Sequence, residues 1–115
     1  MLQKSRKGRG ARRHENALVF AALGDETRLM LVAKLSAGRP SSISQLTRGS
    51  RLSRQAITKH LRVLEEAGIV HSVRAGRESL FEFDREPMDE LRAYLERVSR
   101  EWDQALGRLK AFVEG

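Results

Sequence analysis

The sequence predicts a small, mainly α-helical domain with one β-hairpin. The chain has 115 residues, 40% of them hydrophobic and 5% aromatic, so there is room for one domain with an aliphatic core. Apolar residues recur at helical spacing along most of the chain, whereas residues 71–83 alternate. Glycines, prolines and N-capping residues separate the helical segments. We expect four helices, two strands and a fifth helix, in that order.

The first part of the chain is expected to form a basic arm and two helices. Residues 1–13 contain six cations, no acid and one sizeable apolar side chain, so we expect a flexible arm before a folded domain over 14–115. The first helix is predicted over 14–23. Asp25 is a natural N-cap for a second helix, and Gly38 with Pro40 ends that helix after Ala37.

Two further helices follow, with a short turn between them. Ser42-Ile43-Ser44-Gln45 fits the capping-box pattern and opens a third, short helix, and Gly49 supplies the turn. Ser53 caps a fourth helix over 53–67, which Gly68 terminates. Two helices joined by a short turn that contains glycine are typical of a helix-turn-helix.

The fourth helix has two contrasting faces. Ile57, Leu61 and Leu64 cluster within about 60° on a helical wheel. A face roughly 130° away carries cations and hydrogen-bonding side chains: Arg54, Gln55, Thr58, Lys59 and Arg62. These residue types reach base edges and phosphates in a major groove, so the pattern predicts a DNA-recognition helix. A merely solvated helix face is the alternative.

A hairpin follows the fourth helix directly. The alternating segments 71–74 and 79–83 flank a loop of four residues that contains Gly76, and Arg74 and Arg77 lie near its tip. A helix-turn-helix followed by such a hairpin is a winged helix-turn-helix. The wing arginines are expected to contact the minor groove or the DNA backbone. The complete set of expected DNA contacts is Ser42, Ser53, Arg54, Gln55, Thr58, Lys59, Arg62, Arg74 and Arg77.

The distribution of charge agrees with a polyanionic partner. The net charge of +7 is concentrated in the arm and in residues 42–78, which carry +4, whereas residues 79–115 carry −3. The arm is then either a nonspecific DNA contact or a tail that only solubilises the chain. A winged helix whose basic face binds an acidic protein partner remains the alternative function.

The last helix is predicted over 88–113, after Pro87, and its apolar residues form a seam. They are spaced alternately four and three residues apart, which is typical of helices that pair with themselves. We therefore expect a homodimer, with Trp102 in the dimer core rather than in a ligand pocket. The expected dimer contacts are Leu18, Leu91, Leu95, Val98, Trp102, Ala105, Leu109 and Phe112.

Several function classes lack their sequence signals. The chain has no cysteine, which excludes disulfides and thiolate metal sites. His60 is interpreted as a partly buried packing histidine, and we expect no metal site and no cofactor. No phosphate-binding glycine loop, nucleophile elbow or Ser-His-Asp set is present, so we do not expect an enzyme. Without an apolar run long enough for a bilayer or a secretory signal, a cytoplasmic protein that contacts no membrane is expected.

Four motifs together resemble the ArsR-type winged-helix repressors. They are Asp25-Glu26-Thr27-Arg28-Leu29, the stretch from Ser53 to Leu64, Ala67-Gly68-Ile69-Val70 and Arg74-Ala75-Gly76-Arg77. The resemblance covers residues 15–113 and implies a dimeric transcriptional regulator, usually a repressor, that binds an inverted-repeat operator. The segment 101–109 resembles a non-metal-sensing branch. The family's metal sensing does not carry over, because the chain has no cysteine ligands and the last helix has no histidine pair.

The expected function is therefore that of a homodimeric DNA-binding repressor. Each recognition helix would lie in a major groove, with half-sites about one helical turn, roughly 34–36 Å, apart. The partners are double-stranded DNA with a palindromic operator and a second copy of the chain. The sequence assigns no small-molecule effector.

Overall fold

The computed structural model describes the backbone of residues 9–115 and the side chains of residues 15–115. The elements are α1 (Arg9–Leu23), α2 (Glu26–Ala37), β1 (Ser41–Ser42), α3 (Ile43–Thr47), α4 (Arg54–Glu66), β2 (Val70–Ala75), β3 (Glu78–Phe83) and α5 (Arg85–Glu114). The predicted fold class, five helices with a hairpin before the last one, is confirmed. Residues 1–8 of the expected arm lie outside the described residues.

Two helices begin earlier than the sequence predicted. Helix α1 starts at Arg9 instead of residue 14, so the last part of the expected arm is helical. Helix α5 starts at Arg85 instead of residue 88, with Asp84 as its N-cap. The Asp84 carboxylate accepts the Glu86 N–H at 3.1 Å. Pro87 lies in the first turn, where an N–H has no intrahelical partner to lose, so the proline does not delay the helix start.

The helix ends around the predicted helix-turn-helix follow their capping signals. Ser42 and Ser53 cap α3 and α4, each accepting a backbone N–H at 3.1 Å. At the C-terminal end of α4, Gly68 has a φ of 79°, a backbone conformation that favours glycine. The Ile69 N–H donates to the Leu64 carbonyl at 2.9 Å, as in a Schellman motif. These local signals fix the length of α4 as predicted.

The sheet has three antiparallel strands in the order β1-β3-β2. Strands β2 and β3 form the predicted hairpin, but Ala75 pairs with Glu78, so the loop has two residues rather than four. Gly76 takes the first loop position with a φ of 64°, which a tight hairpin turn of type II′ requires there. Strand β1 was not predicted; Ser41 and Ser42 pair with Phe81 and Leu80.

The core lies where α4 packs against α1, α2 and the sheet. Ile57, Leu61 and Leu64 of α4 are completely buried, as the helical wheel predicted. The other buried apolar residues are Val19, Ala22, Leu31, Val32, Leu35, Leu46, Ile69, Val70, Phe81 and Leu91. Because its apolar face is sealed inside the domain, α4 presents the opposite, cationic face outward.

Candidate nucleic-acid interface

The outward face of α4 brings together five of the predicted DNA contacts. Arg54, Gln55, Lys59 and Arg62 are exposed, and Thr58 is half-buried between them. The Thr58 hydroxyl donates to the Arg54 carbonyl at 2.7 Å. Its hydrogen is therefore engaged by the helix backbone, which leaves the methyl group and the acceptor lone pairs of the hydroxyl oxygen for an outside contact.

The cations of this face have no carboxylate partner within the described residues. The ion pairs found among residues 15–115 are His60–Asp25, His71–Glu82, Arg85–Asp89 and Arg92–Glu96. None involves α4's arginines or lysine, or the arginines of the wing. An unpaired cluster of cations on one face favours a polyanionic partner.

The N-terminal end of α4 is tied to α3. The Arg54 guanidinium donates to the Ser44 hydroxyl, and both residues are exposed. Ser53 is also exposed, although its hydroxyl caps the helix. Ser44 was predicted only as part of a capping box; its place on the helix that precedes the turn was the available signal for this contact.

Ser42 does not lie on this surface, in contrast to the sequence-based expectation. It is 7% exposed. Its hydroxyl accepts the Gln45 N–H, and its own N–H donates to the Gln45 side chain at 2.8 Å. Burial, together with the engagement of its N–H and hydroxyl oxygen in the capping box, leaves Ser42 little surface to offer DNA. We therefore leave Ser42 out of the candidate interface.

The wing places two cations beside the recognition helix. Arg74 lies on β2 and Arg77 at the hairpin tip, and both are exposed. The Ser72 hydroxyl donates to the Glu65 carboxylate of α4 at 2.9 Å, which connects the hairpin to the helix. Across the hairpin, His71 contacts Glu82 at 2.9 Å. The Ser72–Glu65 contact thus joins the wing to α4, and the His71–Glu82 contact joins the two strands of the wing.

A polar cluster centred on Arg28 connects three helices behind the interface. Arg28 donates to the Ala22 carbonyl of α1 at 2.6 Å and approaches Nδ1 of His60 on α4 at 3.2 Å. Asp25 caps α2 by accepting the Arg28 N–H at 3.0 Å. This backbone hydrogen bond is the main cause that lowers the pKa of the Asp25 carboxyl, and the charge of Arg28 adds to it. In the sequence, Arg28 belongs to a motif, but no role was predicted for it.

The second candidate surface is apolar and runs along α5. From Leu95 onward the predicted seam faces solvent, apart from the half-buried Ala105; Trp102 is 63% exposed and Phe112 84%. The other exposed apolar residues of α5 are Val98, Leu106, Leu109 and Val113. Leu91 differs from the expectation because it is 4% exposed and belongs to the chain's own core. Leu95 therefore begins the exposed seam.

Helix α1 adds apolar side chains next to the start of this seam. Leu18 is 45% exposed and Phe20 is 42% exposed. The Phe20 ring packs edge-on against Tyr94 of α5, with ring centroids 6.4 Å apart. Leu91 and Leu95 also line an open groove of about 330 Å³ on α5. The exposed apolar residues of α1 and α5 are called the apolar surface below.

Among residues 15–115, no three His, Asp or Glu side chains come close enough together to hold a metal ion. None of the described helices combines the length and the apolar content needed to cross a membrane.

Comparisons with known proteins place the chain in a family. A helix-turn-helix domain model matches residues 23–73. The chain is 39% identical to the HTH-type regulator YuzN of Bacillus subtilis over 79 residues, which cover 64% of this chain and 86% of YuzN. It is 35% identical to the HTH-type regulator Rv2034 of Mycobacterium tuberculosis over 87 residues, which cover 76% of this chain and 78% of Rv2034.

A solved structure agrees with these relatives. An ArsR-like transcriptional regulator from Rhodococcus sp. RHA1 superimposes with a TM-score of 0.76 at 40% sequence identity, covering 87% of this chain and 93% of that one. The interface geometry described above is what a DNA-binding helix-turn-helix requires. The chain therefore belongs to the ArsR family of winged helix-turn-helix transcriptional regulators, which are DNA-binding proteins.

Proposed function

We propose that this regulator is a homodimeric repressor that places α4 in the major groove of each half of an inverted-repeat operator. One observation carries the proposal. The apolar side of α4 is completely buried in its own domain, while its opposite side presents cations without carboxylate partners among the described residues. Such a helix is anchored in the domain core and presents mainly polar side chains outward, which suits base edges and phosphates.

The side chains of α4 divide between base and phosphate contacts. Gln55 fits a bidentate pair with adenine, and Arg54 or Lys59 fits a bidentate pair with guanine. The Thr58 methyl group is free for a thymine methyl because its hydroxyl is engaged by the helix backbone. Arg62, further along the helix, is assigned to a phosphate.

The wing and the arm supply contacts with less sequence information. Arg74 and Arg77 are exposed and are assigned to the minor groove or the backbone next to each half-site. The basic residues of the arm, 1–13, would add a nonspecific electrostatic contact. Repression then follows from occupancy of the operator.

The apolar surface is assigned to the dimer. Trp102 and Phe112 would otherwise remain in water at 63% and 84% exposure, which is unfavourable for large apolar side chains in a helix of this length. A second copy of α5 supplies an identical seam, so a two-fold pair covers both surfaces at once. The two-fold symmetry of that pair is the reason for an inverted repeat in the DNA.

The test is selection of bound sites from random DNA with the full chain, followed by titration of the selected site at several salt concentrations. We expect a palindromic preference and a fall of log K with log salt of about 0.9 per neutralised phosphate. If no sequence is enriched above random DNA, the repressor proposal is wrong. Binding to a poly-glutamate chain as tight as to the selected DNA would instead favour an acidic protein partner.

A further inference from the structure

The Arg28 side chain contacts both α1 and α4. Its Nε donates to the Ala22 carbonyl at 2.6 Å, and its Nη2 donates to the Ala21 carbonyl at 3.4 Å. Both carbonyls belong to the last turn of α1, and the Ala21 carbonyl also accepts the Gly24 N–H at 3.2 Å. The third nitrogen, Nη1, lies 3.2 Å from Nδ1 of His60, on α4. One guanidinium therefore connects the end of α1 to the recognition helix.

The chemistry of this contact determines the state of the histidine. A guanidinium has donors and no acceptor, so Nδ1 of His60 must be the acceptor. This hydrogen bond therefore requires the neutral tautomer of His60, with its proton on Nε2. The two carbonyls of α1 hold Arg28 in place, so the position of His60 is defined relative to α1.

We propose that the Arg28–His60 hydrogen bond positions α4 for reading DNA, and that the neutral form of His60 is the form competent for sequence-specific binding. The inference rests on the proposed function of α4. His60 is one residue from Lys59 and two from Arg62, both on the outward face. A displacement of the His60 end of the contact therefore displaces the side chains assigned to DNA. Arg28 and His60 are positioning residues and do not contact DNA themselves.

Protonation removes this contact and offers a different one. Among the described residues, the charged groups in contact with the ring are Arg28 of α2 and the carboxylate of Asp25, the N-cap of α2, whose Oδ2 lies 3.7 Å from Nδ1. Two backbone carbonyls of α1 accept hydrogen bonds from the guanidinium. A proton on Nδ1 eliminates the acceptor and sets a cation 3.2 Å from the guanidinium. The imidazolium is then repelled by Arg28 and attracted to Asp25, so the hydrogen-bonded link from α4 through Arg28 to α1 is lost.

The first test replaces His60 and leaves the Arg28 contacts with α1 intact. His60→Asn keeps an acceptor, because the amide oxygen lies as many bonds from Cα as Nδ1 does, whereas His60→Leu fills the space without one. We expect the ratio of affinities for the selected site and for random DNA to fall about tenfold in His60→Leu, the loss typical of one hydrogen bond. His60→Asn should restore most of the ratio. Equal ratios in the wild-type chain and in His60→Leu would overturn the proposal.

The second test is a pH profile of the same ratio, since histidine is the side chain that titrates between about pH 5 and pH 8. We expect the ratio to fall in the wild-type chain as the pH decreases across this range, and to stay flat in His60→Asn. His71→Asn, which removes the histidine of the wing, is the matched control and should keep the wild-type profile. A flat wild-type profile would overturn the proposal that the neutral form is the competent one.

The two proposals fail in different ways. If the wild-type chain prefers no DNA sequence at any pH, the proposed function is wrong, and the positioning role fails with it. If the wild-type chain selects a sequence but His60→Leu selects it equally well, the proposed function stands and only the positioning role is wrong.

Discussion

Helices α4 and α5 are both amphipathic, but only α4 has its apolar face fully buried within its own chain. The residues that form the apolar face of α4, Ile57, Leu61 and Leu64, have no exposed surface. On α5, burial ends near Leu91, and Trp102 is 63% exposed. Helix α4 therefore needs a partner only for its polar face, whereas α5 needs one for its apolar face.

Because of this difference, the two helices call for different kinds of partner. The polar face of α4 carries cations and an amide, which a polyanion with base edges can satisfy. The apolar surface of α5 and α1 calls for another apolar surface, and the seam of a second α5 matches it in spacing. In the proposed complex, the DNA contacts belong to the polar face of α4, and the protein contact belongs to the apolar surface of α5 and α1.

The largest effect is expected from changes on the apolar surface. Leu95→Glu combined with Trp102→Glu places charges on a surface that must be dry in the dimer, so the chain should become monomeric. Operator affinity should fall by about 100-fold or more, because two linked half-site contacts become one. Sedimentation velocity measures the first effect and a DNA titration the second.

The control for this double variant is Arg100→Glu, on an exposed position of α5 outside the seam. It should leave the dimer intact. A double variant that still sediments as a dimer would show that the apolar surface has another role.

Replacing a buried leucine of α4 with alanine should reduce the free energy of unfolding more than the same replacement of an exposed leucine of α5. In the monomeric double variant, Leu61→Ala should reduce the free energy of unfolding by about 2–5 kcal/mol, because it leaves a cavity in a sealed core. Leu109→Ala, at a position that is 58% exposed, should cost less than about 1 kcal/mol. Urea unfolding measures both, and similar losses would contradict the contrast between the helices.

Substitutions on the polar face of α4 should alter recognition without loss of folding. Arg54→Ala and Gln55→Ala are each expected to cost about 1–3 kcal/mol at one base pair and to relax the preference there. Lys34→Ala, an exposed charge removed from α2, is the control for net charge. A loss that is the same on every DNA sequence would reassign Arg54 and Gln55 to the backbone.

The wing should give the smallest effect. Arg77→Ala removes one exposed cation at the hairpin tip, so binding should weaken about threefold on all sequences and the salt slope should fall by about 1. A salt titration checks both values. A changed preference at a single base pair would assign Arg77 to base recognition instead.

The parts of the fold that depend on local signals could be predicted from the sequence. Ser53 and Gly68 delimit α4 because capping and a positive φ are decided by neighbouring backbone groups. The buried face of α4 followed from periodicity alone. The cationic side chains opposite it were then necessarily outward, so most of the candidate interface was also predictable.

The remaining features depend on contacts between distant residues. Strand β1 has two residues and no strand pattern; it exists because β3 pairs with it. Ser42 is buried by that pairing and by its cap, although a serine there looks available for DNA. Leu91 continues the seam in sequence but lies where α5 still packs on its own domain. The contact between Arg28 and His60 joins residues 32 positions apart, for which periodicity offers no signal.

The central claim is that two copies of the chain pair through the apolar surface, so that the dimer presents two α4 helices to the two halves of an inverted repeat. The most direct measurement is the affinity of the wild-type chain for its selected site after insertion of five base pairs between the half-sites. Half a helical turn places the half-sites on opposite sides of the duplex, so we expect the affinity to fall about 100-fold, towards that of a single half-site. An affinity unchanged by the insertion would contradict the account.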